Sequence, residues 1–345
     1  MIIAHVDESP ASLRPLNAAL SSTEHSVAWS VTTGAEAIRR HQHNQVDVLL
    51  LSTNVSDLSA AEITRQVLAH GACAIILLAD TVGQGISNVY DAMGAGAQDV
   101  VAPPRTGESG QIVGGEALLS KLRIATRLLG RSTSGVSLVS VAPPPASASP
   151  IVAIGASTGG PQALLTVLSA LPKPFPSPIV IVQHVDSEFT LGLATWLQEG
   201  SGVRVQLAKA GDTPMAGVAY LASSQDHLVV TAGGTLRYRG EPRDLAHRPS
   251  VDVLFGSLVE HWRTPGVAVL LTGMGRDGAE GMRKLRCAGW HTIAQDQASC
   301  VVYGMPKAAV LLDAASQVLP LSEISRAVYE NTARMRPRVR PSAAR

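Results

Sequence analysis

Short apolar runs recur along almost the whole chain, and the stretches between them return their apolar residues at helical spacing. IIAHV (2–6), SVAWSVT (26–32), VDVLLL (46–51), CAIILL (73–78) and QDVVAP (98–103) have strand length and β-branched content, whereas AAEITRQVLAHG (60–71) follows a helical period. Strands that alternate with helices are joined by crossovers long enough to return the chain to the same edge. The pattern therefore demands a parallel sheet covered on both faces. The series predicts a (βα)5 domain over residues 1–130. It breaks at RSTSGVSLVSVAPPPASAS (131–149), where Ser, Ala and three consecutive prolines favour an extended linker. A second β-α series begins at PIVAIGASTGGP and defines a domain over 150–330. The fold class is thus α/β throughout, in two domains, as 345 residues suggest. The tail, 331–345, carries Arg334, Arg336, Arg338, Arg340 and Arg345 between prolines and is expected to be a solvated end rather than a docking element.

The balance of the chain narrows its partners. A formal net charge of +1 gives no overall attraction to nucleic acid or to an anionic membrane. Cys73, Cys287 and Cys300 lie far apart with no C-x-x-C pair, which suits a reducing compartment better than a disulfide framework or a zinc site. The start, MIIAHVDESP, lacks a basic segment followed by a long apolar core. The longest apolar runs have strand rather than membrane-spanning length. The expectation is a soluble, cytoplasmic protein with no membrane insertion.

Three polar residues stand out by position. IVAIG (151–155) is followed at once by Ala156-Ser157-Thr158-Gly159-Gly160, so that Gly155 to Gly159 spell G-x-S-x-G. Small neighbours allow a tight strand-to-helix turn that projects a serine. A plain glycine-rich turn with Ser157 as helix cap fits this motif equally well. SPIVIVQH (177–184) ends on His184, and GVAVLLTG (266–273) is followed by MGRDGAEG with Asp277 in the turn. Strands running in one direction deliver their following turns to one edge, where open α/β sheets bind ligands. Ser157, His184 and Asp277 then form the set that acyl transfer needs: a nucleophile, a general base and a carboxylate to orient the imidazole. Their chain order differs from that of α/β-hydrolases, so that fold is not implied.

Gly273-Met-Gly275-Arg-Asp-Gly278 also spells G-x-G-x-x-G after a strand, with Asp296 about twenty residues on, as a dinucleotide site requires. Asp277 would place a carboxylate where a pyrophosphate must approach, and the motif leaves Ser157 and His184 unexplained. These points count against a bound dinucleotide.

IGASTGGP, VQH, DTPMAGVAYLASSQDHL (212–228), RPSVDVLF (248–255), TGMGRDGAEGM (272–282) and AQDQASCVVYGMPKAA (294–309) follow one another in order. Together they resemble the C-terminal domain of the CheB family of protein-glutamate methylesterases. The resemblance implies a doubly wound, mostly parallel sheet of about seven strands, with Ser157 as nucleophile, His184 as base and Asp277 as acid. It further implies oxyanion-stabilising backbone near Met274, with Thr158 lining the site. The implied reaction is hydrolysis of glutamate γ-methyl esters on the cytoplasmic region of a methyl-accepting chemoreceptor, with deamidation of receptor glutamines by the same acyl-enzyme route. The resemblance implies that neither a cofactor nor a metal is required. A chemotaxis-type histidine kinase is a second implied partner. Asp186 departs from the family, which usually has proline two residues after the histidine, and adds negative charge. Asp226 and His227 are expected to cap or pack a strand, and Cys300 to be a buried structural thiol. Arg248 and Asp252 either pair or line the cleft.

The N-terminal domain resembles a response-regulator receiver of flavodoxin type. Aligning VDVLLLST with that pattern places Ser52 where the phosphoacceptor aspartate stands, so no phosphoacceptor is expected. Asp7 and Glu8 match the acidic pair that helps hold Mg²⁺, but Pro103 replaces the expected lysine. Asp57, further into the loop, is the one alternative acceptor. This degenerate receiver, with VYDAMGAGAQDVV in its fourth helix region, most resembles the methylesterases of Wsp-type surface-sensing systems, which govern a diguanylate cyclase output. A non-catalytic adaptor in such a complex is the competing expectation.

Overall fold

The computed structural model describes residues 1–21, 23–80, 86–107, 111–129 and 149–335. The chain divides into two compact units, Met1–Ser134 with Val185–Trp196, and Gly135–His184 with Leu197–Arg345. All of the expected linker except Ser149 lies outside the described residues.

In the first unit, β1 (Ile2–Val6), β2 (Ser26–Val31), β3 (Val48–Ser52), β4 (Ala74–Leu78) and β5 (Asp99–Val101) form one parallel sheet in the order β2-β1-β3-β4-β5. This is the flavodoxin-type order that the receiver resemblance implied. The helices are α1 (Leu13–Leu20), α2 (Gly34–His43), α3 (Ala60–His70), α4 (Ile86–Gly94) and α5 (Gly115–Leu129). A two-residue antiparallel ladder of β6 (Arg105–Thr106) and β7 (Ile112–Val113) precedes α5. Every residue of β3 is buried, as a strand covered on both faces must be. The start of α3 is fixed by the Ser59 side chain, which accepts from the Glu62 amide.

In the second unit the strands of the main sheet are β8 (Val152–Ala156), β9 (Ile179–Gln183), β10 (Arg204–Leu207), β11 (Val218–Leu221), β14 (Val267–Leu270), β15 (His291–Gln295) and β16 (Gln317–Leu319). They run parallel in the order β10-β11-β9-β8-β14-β15-β16, the seven-stranded doubly wound sheet that the family resemblance implied. β12 (His227–Val230) and β13 (Leu236–Arg239) form a separate antiparallel pair. The helices are α6 (Gly160–Ser169), α8 (Val251–His261), α9 (Ala279–Cys287), α10 (Met305–Leu311) and α11 (Leu321–Met335), while α7 (Thr190–Ser201) is divided between the units after Trp196. From β8 the chain builds outward on one side through β9 and later returns to lay β14 on the other side. The strand order therefore reverses between β8 and β14, which is where open α/β sheets bind ligands. Val180, Val182, Tyr220, Leu254, Phe255 and Met282 belong to the core cluster that packs this sheet.

One boundary shifts. Helix α11 continues to Met335, five residues into the stretch expected as a tail, because Val328 and Thr332 keep a buried face one turn apart. Arg334 is thus a helical surface residue beside Glu330 at 3.9 Å, while Arg336, Arg338, Arg340 and Arg345 lie outside the described residues.

Candidate active site

Ser157 and His184 directly follow the adjacent strands β8 and β9, and Asp277 lies in the loop between β14 and α9. Register pairs Ala156 of β8 with Gln183 of β9, so Ser157 and His184 are the next residues along neighbouring strands. Beyond the strand, the Ser157 amide donates to the Thr272 carbonyl at 3.0 Å and the His184 amide to the Ala156 carbonyl at 3.0 Å. The chain then turns sharply. Gly160 N–H closes onto the Ser157 carbonyl at 2.7 Å, and Gly159 takes φ +76°, where a β-carbon would also lie 2.6 Å from Val301. A β-carbon on Gly273 would meet that of Ser157 at 2.7 Å, so the loop after β14 can pass the serine only as glycine. Ser157 is 7% exposed, and its hydroxyl makes no hydrogen bond among the described residues.

His184 and Asp277 are joined directly. Nε2 of His184 donates to a carboxylate oxygen of Asp277 at 2.8 Å, and both side chains are largely buried. A carboxylate only accepts, so Nε2 carries the ring proton and Nδ1 keeps the lone pair. Nδ1 is buried with no hydrogen-bond partner among the described residues.

Asp277 is over-determined. One oxygen takes the His184 ring and the Val251 amide (2.7 Å), while the other takes the Ser250 hydroxyl (2.7 Å) and the Asp252 amide (3.1 Å). It therefore sits on the N-terminal turn of α8, where free amides and the helix dipole favour an anion. Burial opposes ionisation, but the bonds from His184, Ser250 and Val251 outweigh it and hold the carboxyl well below the usual range. Its neighbour Asp252 moves the other way. Burial, then the Asp277 charge, push its carboxyl up to about 6, although the Gly281 amide donates to it at 2.6 Å.

Three supporting residues were not singled out from sequence. Ser250, the N-cap of α8, could have been read from its place before an apolar helical run. Gln183 donates to the carbonyls of both Ser157 (2.9 Å) and His184 (3.1 Å) and ties the two turns together. His247 stacks on the His184 ring with centroids 4.1 Å apart and planes 13° apart, a contact that no local pattern announces.

The other expected residues are placed as follows. Thr158 is buried, and its carbonyl accepts from the Thr272 hydroxyl at 3.0 Å. Met274 is half-buried directly after Gly273, and its amide donates to no protein acceptor among the described residues. Asp186 is exposed at the start of a single 3-10 turn, Ser187–Phe189. His227 does more than pack: fully buried, its Nε2 meets the Pro242 carbonyl at 2.9 Å and its Nδ1 accepts the Ser250 amide at 3.1 Å. Asp226 is half-buried, and its amide donates to Ser224. Arg248 is exposed and makes no ion pair with Asp252, which settles that alternative against pairing. Cys300 is only half-buried, yet burial and the nearby Asp296 push its thiol up to about 12. Asp296 itself accepts from the Ser299 amide (2.9 Å) and hydroxyl (2.6 Å). In the G-x-G-x-x-G turn, Gly278 takes φ +88° against Val251. The turn thus serves Asp277 and the packing on α8.

In the first unit, Ser52 is buried, and its hydroxyl accepts from the Asn54 amide at 3.3 Å. Glu8 takes the amide and hydroxyl of Ser56, while Asp7 takes the Ser9 amide. Asp57 receives the amides of Gly34 (2.8 Å) and Ala35 (2.9 Å) at the start of α2. These bonds outweigh the opposing effect of burial and hold its carboxyl below the usual range. Among the described residues, no group of three or more His, Cys, Asp or Glu side chains is arranged to hold a metal, and no helix is long and apolar enough to cross a membrane.

A family model described as CheB methylesterase matches residues 152–328. The protein-glutamate methylesterase/protein-glutamine glutaminase 2 of Cupriavidus metallidurans is 44% identical over 326 residues, covering 94% of this chain and 96% of its own. The corresponding protein numbered 4 in Burkholderia thailandensis is 43% identical over 327 residues, covering 94% and 96%. Among solved structures, the CheB methylesterase catalytic domain of Thermotoga maritima matches with 37% identity and a TM-score of 0.52, over 53% of this chain and 99% of that one.

Proposed function

The chain belongs to the CheB methylesterase family, and on that premise we propose that it hydrolyses glutamate γ-methyl esters on the cytoplasmic region of a methyl-accepting chemoreceptor. The observation that carries this reading is the chain of bonds from the N-terminus of α8 through Asp277 to Nε2 of His184, which leaves Nδ1 as the only basic nitrogen. Ser157 Oγ attacks the ester carbonyl as Nδ1 accepts its proton, and Asp277 stabilises the resulting imidazolium. The Met274 amide, which has no protein acceptor among the described residues, would receive the developing oxyanion. His184 returns the proton to the departing methanol, then activates water to release the glutamate. Amide and ester share this route, so glutamine deamidation belongs to the same proposal, in keeping with the double names of the relatives. A purely non-catalytic adaptor would have no use for a buried carboxylate collecting four donors.

Domain 1 is proposed to act without aspartyl phosphorylation: Ser52 offers no carboxylate, Asp57 is engaged by α2, and Pro103 stands where the reading lysine would be. Methanol release from methylated receptor tests the first claim. Wild type should release it and Ser157→Ala should not; equal release by both refutes the assignment of Ser157. Incubation with acetyl phosphate and Mg²⁺ tests the second, and a stable acyl phosphate on the intact chain refutes it.

A further inference from the structure

We infer that His247 is a positioning residue for the general base: its ring, stacked on His184, holds the imidazole plane that aims Nδ1 at the nucleophile. The inference rests on the esterase reading above and adds a residue to it. An imidazole swings about two side-chain torsions, and the second is soft. In this structure the ring of His184 makes one hydrogen bond, to Asp277 through Nε2, while the opposite nitrogen is buried without a partner among the described residues. A single bond at one edge fixes a point and leaves the ring free to swivel about it. The face of His247, 4.1 Å away and only 13° from parallel, removes that freedom. The chain supplies both restraints from one short stretch, since His247 lies three residues before Ser250, whose hydroxyl holds Asp277. Plane and edge are therefore set together.

The consequence is a loss of rate out of proportion to any loss of fold, because misplacing a reacting group by about 1 Å can cost about 100-fold. The test uses the full-length protein with two readouts: labelling of Ser157 by a fluorophosphonate probe, which needs no receptor, and kcat and KM for methanol release. His247→Ala should slow labelling and lower kcat by about 10- to 100-fold with KM little changed. His247→Phe restores a flat face without a titratable nitrogen and should recover most of both. An alanine variant as fast as wild type overturns the inference. So does a folded phenylalanine variant, judged by an unchanged melting temperature, that is as slow as the alanine one. Should His247→Ala fail to fold, His247→Phe alone decides: near wild-type labelling supports a stacked restraint, and slow labelling of a folded chain overturns it. The esterase reading fails separately, if wild type neither labels at Ser157 nor releases methanol.

Discussion

Replacing Asp277 by asparagine keeps its shape and reverses half of its hydrogen-bonding character, which makes it the sharpest probe of the site. Two donors converge on each carboxylate oxygen, His184 and Val251 on one and Ser250 and Asp252 on the other. Whichever oxygen becomes NH₂, it faces a backbone amide that can no longer be satisfied, at a cost of about 1–3 kcal/mol for a buried donor. Loss of the charge-assisted character of the remaining bonds adds to this, so a destabilisation of about 2–4 kcal/mol is expected. If the NH₂ takes the position facing His184, the ring adopts the other tautomer, with the proton on Nδ1 and no base toward Ser157. In an unrelated serine protease the same exchange of carboxylate for amide costs about 10⁴-fold in kcat, and a fall of roughly that order is expected here. Methanol release under saturating receptor measures it, with thermal melts alongside. The charge of Asp252 gives an independent check. Its carboxyl is raised to about 6 by burial first and by Asp277 second, so the folded state holds a proton that the unfolded state has lost. Its contribution is complete below the ordinary carboxylate range and fades as pH rises through about 6. With Asp277 neutral, that loss of stability between about pH 4 and 6 should shrink. A variant retaining a tenth of wild-type kcat, or an unaltered pH dependence of melting, would refute the geometry assigned to Asp277.

Other consequences follow from single residues. Ser157→Ala should abolish fluorophosphonate labelling yet leave the melting temperature almost unchanged, since the hydroxyl holds no hydrogen bond among the described residues. Gly159→Ala forces a left-handed φ and a contact with Val301, and should cost at least about 1–2 kcal/mol and much of the activity. At pH 8 a thiol reagent should modify exposed Cys287 rapidly in the folded protein and spare Cys73 and Cys300, both of which burial pushes up to about 12; fast reaction at either would contradict their placement.

Much of this molecule is decided locally, and there the sequence is enough. The alternation of strand-sized and helix-patterned segments specifies two parallel sheets, because that order of elements has few ways to bury its apolar faces. Glycines at 155, 159 and 273 mark where backbones must pass closely, and placing Ser157, His184 and Asp277 just past apolar strands puts them on one edge. What no local pattern holds is the order of the strands. Only the assembled sheet makes β8 the neighbour of both β9 and β14, and so turns a shared edge into adjacency. The same is true of contacts made across loops: the face of His247 on His184, the capture of Asp277 by the start of α8, and the engagement of Asp57 by α2. Each joins residues more than twenty positions apart, and a hydrogen bond or a stacked ring depends on distances of a few ångströms that only packing sets. The length of α11 belongs here too, since proline and arginine composition after residue 331 suggested a tail while a buried face carried the helix to Met335. Sequence thus placed three candidate residues on one edge, and tertiary structure decided which nitrogen of His184 bonds to Asp277 and which ring stacks on it.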